Sequence, residues 1–185
     1  MKKALVTGGC GFIGSHIVEQ LISKKNSVVI LDNLKTGYKK LINKKAVFIK
    51  GDIKNKNLIN KIIKKFHIET IIHLAAHLNI TESQKNKIKY KKNNIDGTKN
   101  LLIACKNTNI KNIIFSSSCS VYGNIRGSVN ELKKLNPQSY YAYTKFVGEK
   151  LIKKYSNKFN YNYGILRYFN VSGARNTGSI GKIQT

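Results

Sequence analysis

The sequence predicts an α/β protein in which a doubly wound parallel sheet carries helices on both faces. Three observations support that class. Short β-branched runs alternate with longer amphipathic stretches along the 185 residues, the pattern of parallel strands joined by crossover helices. A glycine-rich turn, TGGCGFIG at 7–14, falls between the first run and the first amphipathic stretch. An acidic residue, Asp32, closes the second run.

Taken in order, KALVT at 3–7 is the first strand and 12–24 the first helix. VVIL at 28–31 is a second strand, followed by a short helix near 37–42. AVFIK at 46–50 and TIIHL at 70–74 are further strands, with a helix over 55–66 between them. A long helix is expected over 84–107, then a strand at 112–116 (NIIFS), a helix over 140–157 and a last strand at 163–167 (YGILR). The only proline, Pro137, precedes the 140–157 helix, and no repeat, low-complexity tract or linker interrupts the alternation. A chain of this length buries roughly 70% of its unfolded surface in one core. Residues 1–185 are therefore read as one Rossmann-like domain.

Composition narrows the function classes. The net charge of +26 gives weak, salt-dependent attraction to polyanions. The lysines, however, recur as KK pairs at 2, 24, 39, 44, 64, 91, 133 and 153 rather than as one stripe. With abundant Asn and Ile, that spread reads as solvated faces and codon bias, not as a nucleic-acid module. No apolar run approaches the roughly 20 residues of a membrane-spanning helix, and the start, MKKALVTGG, is too short in apolar residues for a signal peptide. A soluble cytoplasmic protein is expected. Cys10, Cys105 and Cys119 are odd in number and lack a CxxC spacing, so they read as reduced thiols rather than disulfides or zinc ligands.

The glycine turn carries the first functional expectation. Gly8, Gly11 and Gly14 stand three apart after a strand and before a helix. Such spacing permits a tight turn, close approach of a pyrophosphate to the backbone, and close strand–helix packing. The N-terminus of the helix then offers unpaired N–H groups to phosphates. Asp32 is placed to accept hydrogen bonds from an adenosine ribose and to repel a 2′-phosphate, which favours NAD over NADP. Asp52, after the third strand, either lies at the adenine edge or caps the following helix. HLAAH at 73–77 ends a strand with small residues that admit a cofactor. Its His73 and His77 lack a third ligand nearby and read as structural, with no metal expected. In YYAYTK at 140–145, helical spacing puts Tyr141 over Lys145. A fixed ammonium beside a phenol favours its phenolate and makes it a better acid/base. Tyr140 and Tyr143 read as packing residues.

These motifs, with LDNLKTG, GDI, the ES at 82–83, NNIDGT, FSSSCSVYG and LRYFNVSGA, appear in order along nearly the whole chain. By them the sequence resembles the extended short-chain dehydrogenase/reductase family, in its NAD-dependent epimerase/dehydratase group. The resemblance implies interconversion of UDP-galactose and UDP-glucose by transient NAD-dependent oxidation at sugar C4. It casts Tyr141 as the acid/base, Ser118 as the hydrogen-bonding partner of the same sugar hydroxyl, and Lys145 as a binder of the nicotinamide ribose that lowers the tyrosine pKa. It places Gly8, Gly11, Phe12, Ile13, Gly14, Asp32, Asn33, Asp52, Ile53, Leu74, Ala75, Ala76, Asn93 and Tyr168 at the cofactor, with Asn93 open to a purely structural reading as well. Asn170 is placed at the substrate diphosphate.

The resemblance also marks departures. Family dehydratases carry an Asp-Glu pair where this chain has Cys119 and Ser120, so dehydration is not expected. Leu78 stands in place of a frequent lysine, and Val171 in place of a frequent proline. Family members continue for about as long again after RYFNVSGA, so the domain that grips the uridine is expected to be missing. The alternatives are an NAD-binding remnant without turnover and another UDP-sugar epimerase or decarboxylase, such as one acting on UDP-glucuronate. A homodimer through the helices near 84–107 and 140–157 is a further implied partner.

Overall fold

The computed structural model describes residues 2–175, 178, 180 and 181. Six strands, β1 (Lys3–Thr7), β2 (Ser27–Asp32), β3 (Val47–Lys50), β4 (Thr70–His73), β5 (Asn112–Ser118) and β6 (Asn162–Tyr168), form one sheet in the order β3-β2-β1-β4-β5-β6. Every pairing is parallel. Buried parallel strands need apolar residues on both faces, and β1 and β2 supply near-continuous ones, Ala4–Val6 and Val28–Leu31. The order reverses between β1 and β4, and there the carboxyl ends of the strands open a crevice.

Helices α1 (Phe12–Ser23), α2 (Lys56–Phe66), α3 (Ile80–Lys85), α4 (Lys87–Tyr90), α5 (Gly97–Ala104) and α6 (Tyr140–Phe159) cover the sheet. On one face α2, α5 and α6 bring Ile59, Ile63, Leu101, Leu102 and Ile152 onto Leu5, Ile71, Ile113 and Phe115. On the other, α1 packs Val18, Ile17 and Leu21 over Val6, Ile30 and Ile72. Asn55 caps α2 by accepting from the Leu58 N–H at 3.0 Å, and His67 ends it in the left-handed region, φ 50°.

The helix expected over 84–107 is corrected to a broken run. Asn79 caps a start at Ile80, four residues earlier than expected, and Asn86 then leaves helical geometry (φ −129°, ψ 61°) while capping α4 through the Lys89 N–H. A widened π-helical turn, Lys91–Asp96, joins α4 to α5 and turns Asn93 and Asn94 inward. The expected helix near 37–42 is a single 3-10 turn, Lys39–Leu41. Other boundaries shift by one or two residues, with β5 and β6 extending to Ser118 and Tyr168.

Candidate active site

The loop after β1 is shaped by its glycines. Gly8 has φ +74°, and a Cβ there would stand 2.7 Å from the Ala75 amide nitrogen; one on Gly14 would strike the Gly8 carbonyl. Only glycine lets β1, β4 and α1 meet so closely. Gly11, by contrast, faces open space apart from the Gly8 carbonyl, and no side chain caps α1. The first-turn N–H groups of Phe12, Ile13 and Gly14 therefore border a cleft with the positive end of the helix behind them.

Asp32 forms the far wall of that cleft. Its two carboxylate oxygens accept from the Cys10 N–H (3.0 Å) and the Leu34 N–H (2.8 Å), which fixes the group across the loop. Asn33, Ile53, Leu74, Ala75, Ala76 and Asn93 complete the walls among the positions the sequence singled out. Asp52 does not line the cleft: its carboxylate accepts from the Asn33 amide (3.1 Å) and the Lys54 N–H (2.9 Å). Burial pushes the Asp52 pKa up, but these bonds and the Lys54 charge outweigh it and hold the carboxyl below its usual range. Because Asn55 caps α2, the capping alternative for Asp52 is set aside.

His73 is buried beneath the cleft with its Nδ1 2.7 Å from Thr7 Oγ1 and its Nε2 2.9 Å from Thr98 Oγ1. Thr98 spends its O–H on the Asn94 carbonyl (2.7 Å), so His73 donates from Nε2 and accepts at Nδ1. Burial first, and then the Lys145 charge, pull its pKa down to about 3. His77 lines the cleft mouth beside the exposed Leu78, and its backbone exchanges hydrogen bonds with the Asn94 side chain at 2.8 and 3.0 Å. Among the described residues, no group of three or more His, Cys, Asp or Glu side chains is arranged to hold a metal ion.

Helix α6 brings Tyr141 and Lys145 to the end of β5. The Ser139 side chain caps α6 at the Ala142 N–H, and the Ser83 hydroxyl accepts from the Tyr141 N–H at 3.0 Å, so the first turn is pinned. Tyr141 is 8% exposed and stands beside Ser118, whose Oγ accepts from the Ser120 N–H (3.2 Å) and hydroxyl (2.9 Å). Burial raises the Tyr141 pKa, and the neighbouring Ser118 side chain works against that rise. Lys145 donates from Nζ to the Ser116 carbonyl at 2.7 Å and lies over the Phe115 ring, 5.2 Å from its centroid. Burial brings its pKa down to about 8. The expectation that Lys145 lowers the tyrosine pKa is thus corrected: the ammonium is aimed at Ser116, 5.9 Å from the Tyr141 ring centroid, and the net shift of Tyr141 is upward.

Other expected positions lie elsewhere. Tyr168 lines a separate hollow with Phe12, Ile13 and His16, and Asn170 is exposed past the end of β6. Tyr140 and Tyr143 stack on one another at 5.7 Å, with Tyr143 46% exposed, so they pack at the surface rather than in the core. Sequence reading passed over Asn94, whose Nδ2 also donates to Thr144 Oγ1 at 3.1 Å and so ties the β4 loop to α6. Its place in NNIDGT, beside the Asn93 that was singled out, was the available signal. It also passed over Lys35, Thr36 and Gly37 in the cleft wall, which lie in the LDNLKTG motif.

A sheet ordered 3-2-1-4-5-6, a glycine crevice closed by an acid, and a Ser–Tyr–Lys cluster at the end of the fifth strand define a dinucleotide-binding fold of the short-chain dehydrogenase/reductase class. The chain belongs to the NAD dependent epimerase/dehydratase family, which it matches over residues 4–183. It is 41% identical over 181 residues to the UDP-glucose 4-epimerase of Lactobacillus helveticus, covering 97% of this chain and 55% of that one. Its structure matches the UDP-glucose 4-epimerase of Brucella ovis in complex with NAD with a TM-score of 0.94 at 37% identity, over 99% of this chain and 56% of that one. A UDP-N-acetylglucosamine 4-epimerase from Methanobrevibacter ruminantium M1, in complex with UDP-N-acetylmuramic acid, matches with a TM-score of 0.86 at 41% identity, over 94% and 56%. The chain spans about half the length of these relatives.

Proposed function

We propose that this chain is the NAD-binding, catalytic part of a UDP-sugar 4-epimerase that interconverts UDP-galactose and UDP-glucose. The observation that carries the reading is the meeting of Ser118 and Lys145 around the Tyr141 ring, beside a crevice that begins at the glycine turn and ends on Asp32. The crevice fits NAD: Gly11 leaves the space a Cβ would fill, the first-turn amides of α1 suit a pyrophosphate, and Asp32 suits an unphosphorylated ribose. Asn33, Ile53, Leu74–Ala76 and Asn93 line the remainder. Asp52 acts at the adenine edge through Asn33, and Lys145 at the nicotinamide ribose.

When bound, the nicotinamide would supply reversible hydride exchange with sugar C4, with no net redox change. The chain's own residues manage the proton. Ser118 hydrogen-bonds the sugar 4-hydroxyl and Tyr141 takes its proton, then returns it to O4. Lys145, cationic below about pH 8 and held by the Ser116 carbonyl, is the buried positive charge 5.9 Å from the Tyr141 ring centroid. Asn170 meets the substrate diphosphate.

The three free thiols suit a reducing cytoplasm, and the exposed lysines are scattered along the chain. A homodimer through the α3–α5 region and α6 would cover Ile88 and Tyr143, which are 69% and 46% exposed. A strictly monomeric mass in solution removes the dimer.

Incubation of the purified chain with NAD and UDP-galactose, followed for UDP-glucose, tests the function, with Tyr141→Phe as the control. Turnover that Tyr141→Phe lowers by about 10²-fold or more supports it. Retained NAD without turnover would favour a cofactor-binding unit that needs further protein for catalysis. Parallel incubation with UDP-N-acetylglucosamine asks whether an N-acetylated sugar is preferred, a second reading favoured by the similarity to the Methanobrevibacter protein.

A further inference from the structure

Three consecutive residues at the end of β5 hold three residues of α6 spaced one helical turn apart. Ser118 stands beside Tyr141 with its Oγ accepting from the Ser120 N–H (3.2 Å) and hydroxyl (2.9 Å), the Ser116 carbonyl accepts from Lys145, and Ser117 Oγ donates to Glu149 Oε1 at 2.5 Å. Ser117 and Glu149 are each 2% exposed. Arg167 at the end of β6 meets the same carboxylate at two points, Nε to Oε1 at 3.0 Å and Nη2 to Oε2 at 2.9 Å. Its remaining Nη1 donates to Tyr122 Oη (2.8 Å) and to the Glu131 carbonyl (3.1 Å), and the guanidinium lies over the Tyr122 ring. Tyr122 closes the 3-10 turn Cys119–Tyr122 that begins directly after Ser118. The ion pair therefore grips the chain on both sides of Ser118, at Ser117 before it and at Tyr122 after it.

A buried ion pair contributes little to stability that a well-packed apolar pair would not also contribute. The planar two-point contact adds register, because only one alignment of β5, β6 and α6 satisfies all its donors. We propose that Glu149 and Arg167 are positioning residues that fix the segment carrying Ser118 beside the Tyr141 phenol. The catalytic consequence rests on the proposed role of Tyr141; the contact itself is measurable without substrate or cofactor.

Loss of that contact has a spectroscopic signature. Burial raises the Tyr141 pKa while Ser118 lowers it, so releasing Ser118 moves the titration upward. The titratable groups facing Tyr141 are Lys145 on its own helix, Tyr90 on α4 and Cys119 in the turn. Removing the Glu149 charge would by Coulomb's law alone move Tyr141 downward, the opposite sign.

The experiment is an NMR titration of the chain labelled with 13Cζ-tyrosine, the Tyr141 signal being assigned by its disappearance in Tyr141→Phe. Glu149→Gln should shift the Tyr141 midpoint upward, as Ser118→Ala does, and should add no further shift in the Ser118→Ala background. Arg167→Lys, which keeps the charge but loses the two-point contact, should shift it the same way. An unchanged or lowered midpoint in the folded variants, or additive shifts, would overturn the proposal, as would loss of folding by both variants, which would make the pair purely structural. NAD retention and turnover of the same samples are read separately. A wild-type chain without turnover but with this shift pattern would count against the proposed function and in favour of the contact.

Discussion

Lys145 is the one lysine among the described residues that the fold buries, at 3% exposure. An ammonium removed from water prefers to lose its proton, which is why its pKa falls from 10.5 to about 8. The folded value lies below the unfolded one, so the unfolded chain binds more protons between the two. Stability from this group accordingly rises with pH from about 8 to about 10.5. Lys145→Met, which keeps the length and drops the charge, should flatten that part of the profile relative to the wild type, as measured by urea unfolding at several pH values. A slope identical in the two proteins would mean that the ammonium is not desolvated. The Ser116 carbonyl and the Phe115 ring show how this costly group is held.

At the scale of elements, the β1 loop and α1 depend on close approach. Gly14→Ala would drive a methyl group into the Gly8 carbonyl, separate the loop from the helix and spoil the cleft floor. NAD affinity should fall with stability. Asn55→Ala, which removes only the α2 cap, should cost about 1 kcal/mol of stability and leave NAD affinity unchanged. Calorimetric titration of both variants separates the two effects. The same elements explain what could be read in advance. TGGCGFIG, Asp32 at a strand end and the Tyr141–Lys145 spacing report local backbone requirements, so they are visible in one stretch of chain. The run from 84 to 107 offered no glycine or proline where it breaks. Its interruption at Asn86 and the wide turn at 91–96 come from side-chain caps and from packing against α6, which periodicity does not report. The Ser117–Glu149–Arg167 contacts span 32 and 18 residues of sequence and exist only because β5 pairs with β6 beneath α6.

For the molecule as a whole, charge and site are separate matters. A net charge of +26 is carried by side chains that point to water, since all described lysines but Lys145 are exposed. The proposed chemistry uses only the buried Lys145, which is held by Ser116 beside the crevice where the strand order reverses, the place a doubly wound sheet offers a ligand. No helix among the described residues is long and apolar enough to cross a membrane. Everything proposed for Tyr141, Ser118 and Lys145 depends on that crevice accepting a dinucleotide. The most direct test is calorimetric titration of the purified chain, stripped of bound nucleotide, with NAD and then with NADP. The account predicts one NAD site per chain and weaker binding of NADP, with the preference lost in Asp32→Asn. Equal affinity for the two cofactors in the wild type, or no binding of either by a folded chain, would contradict it.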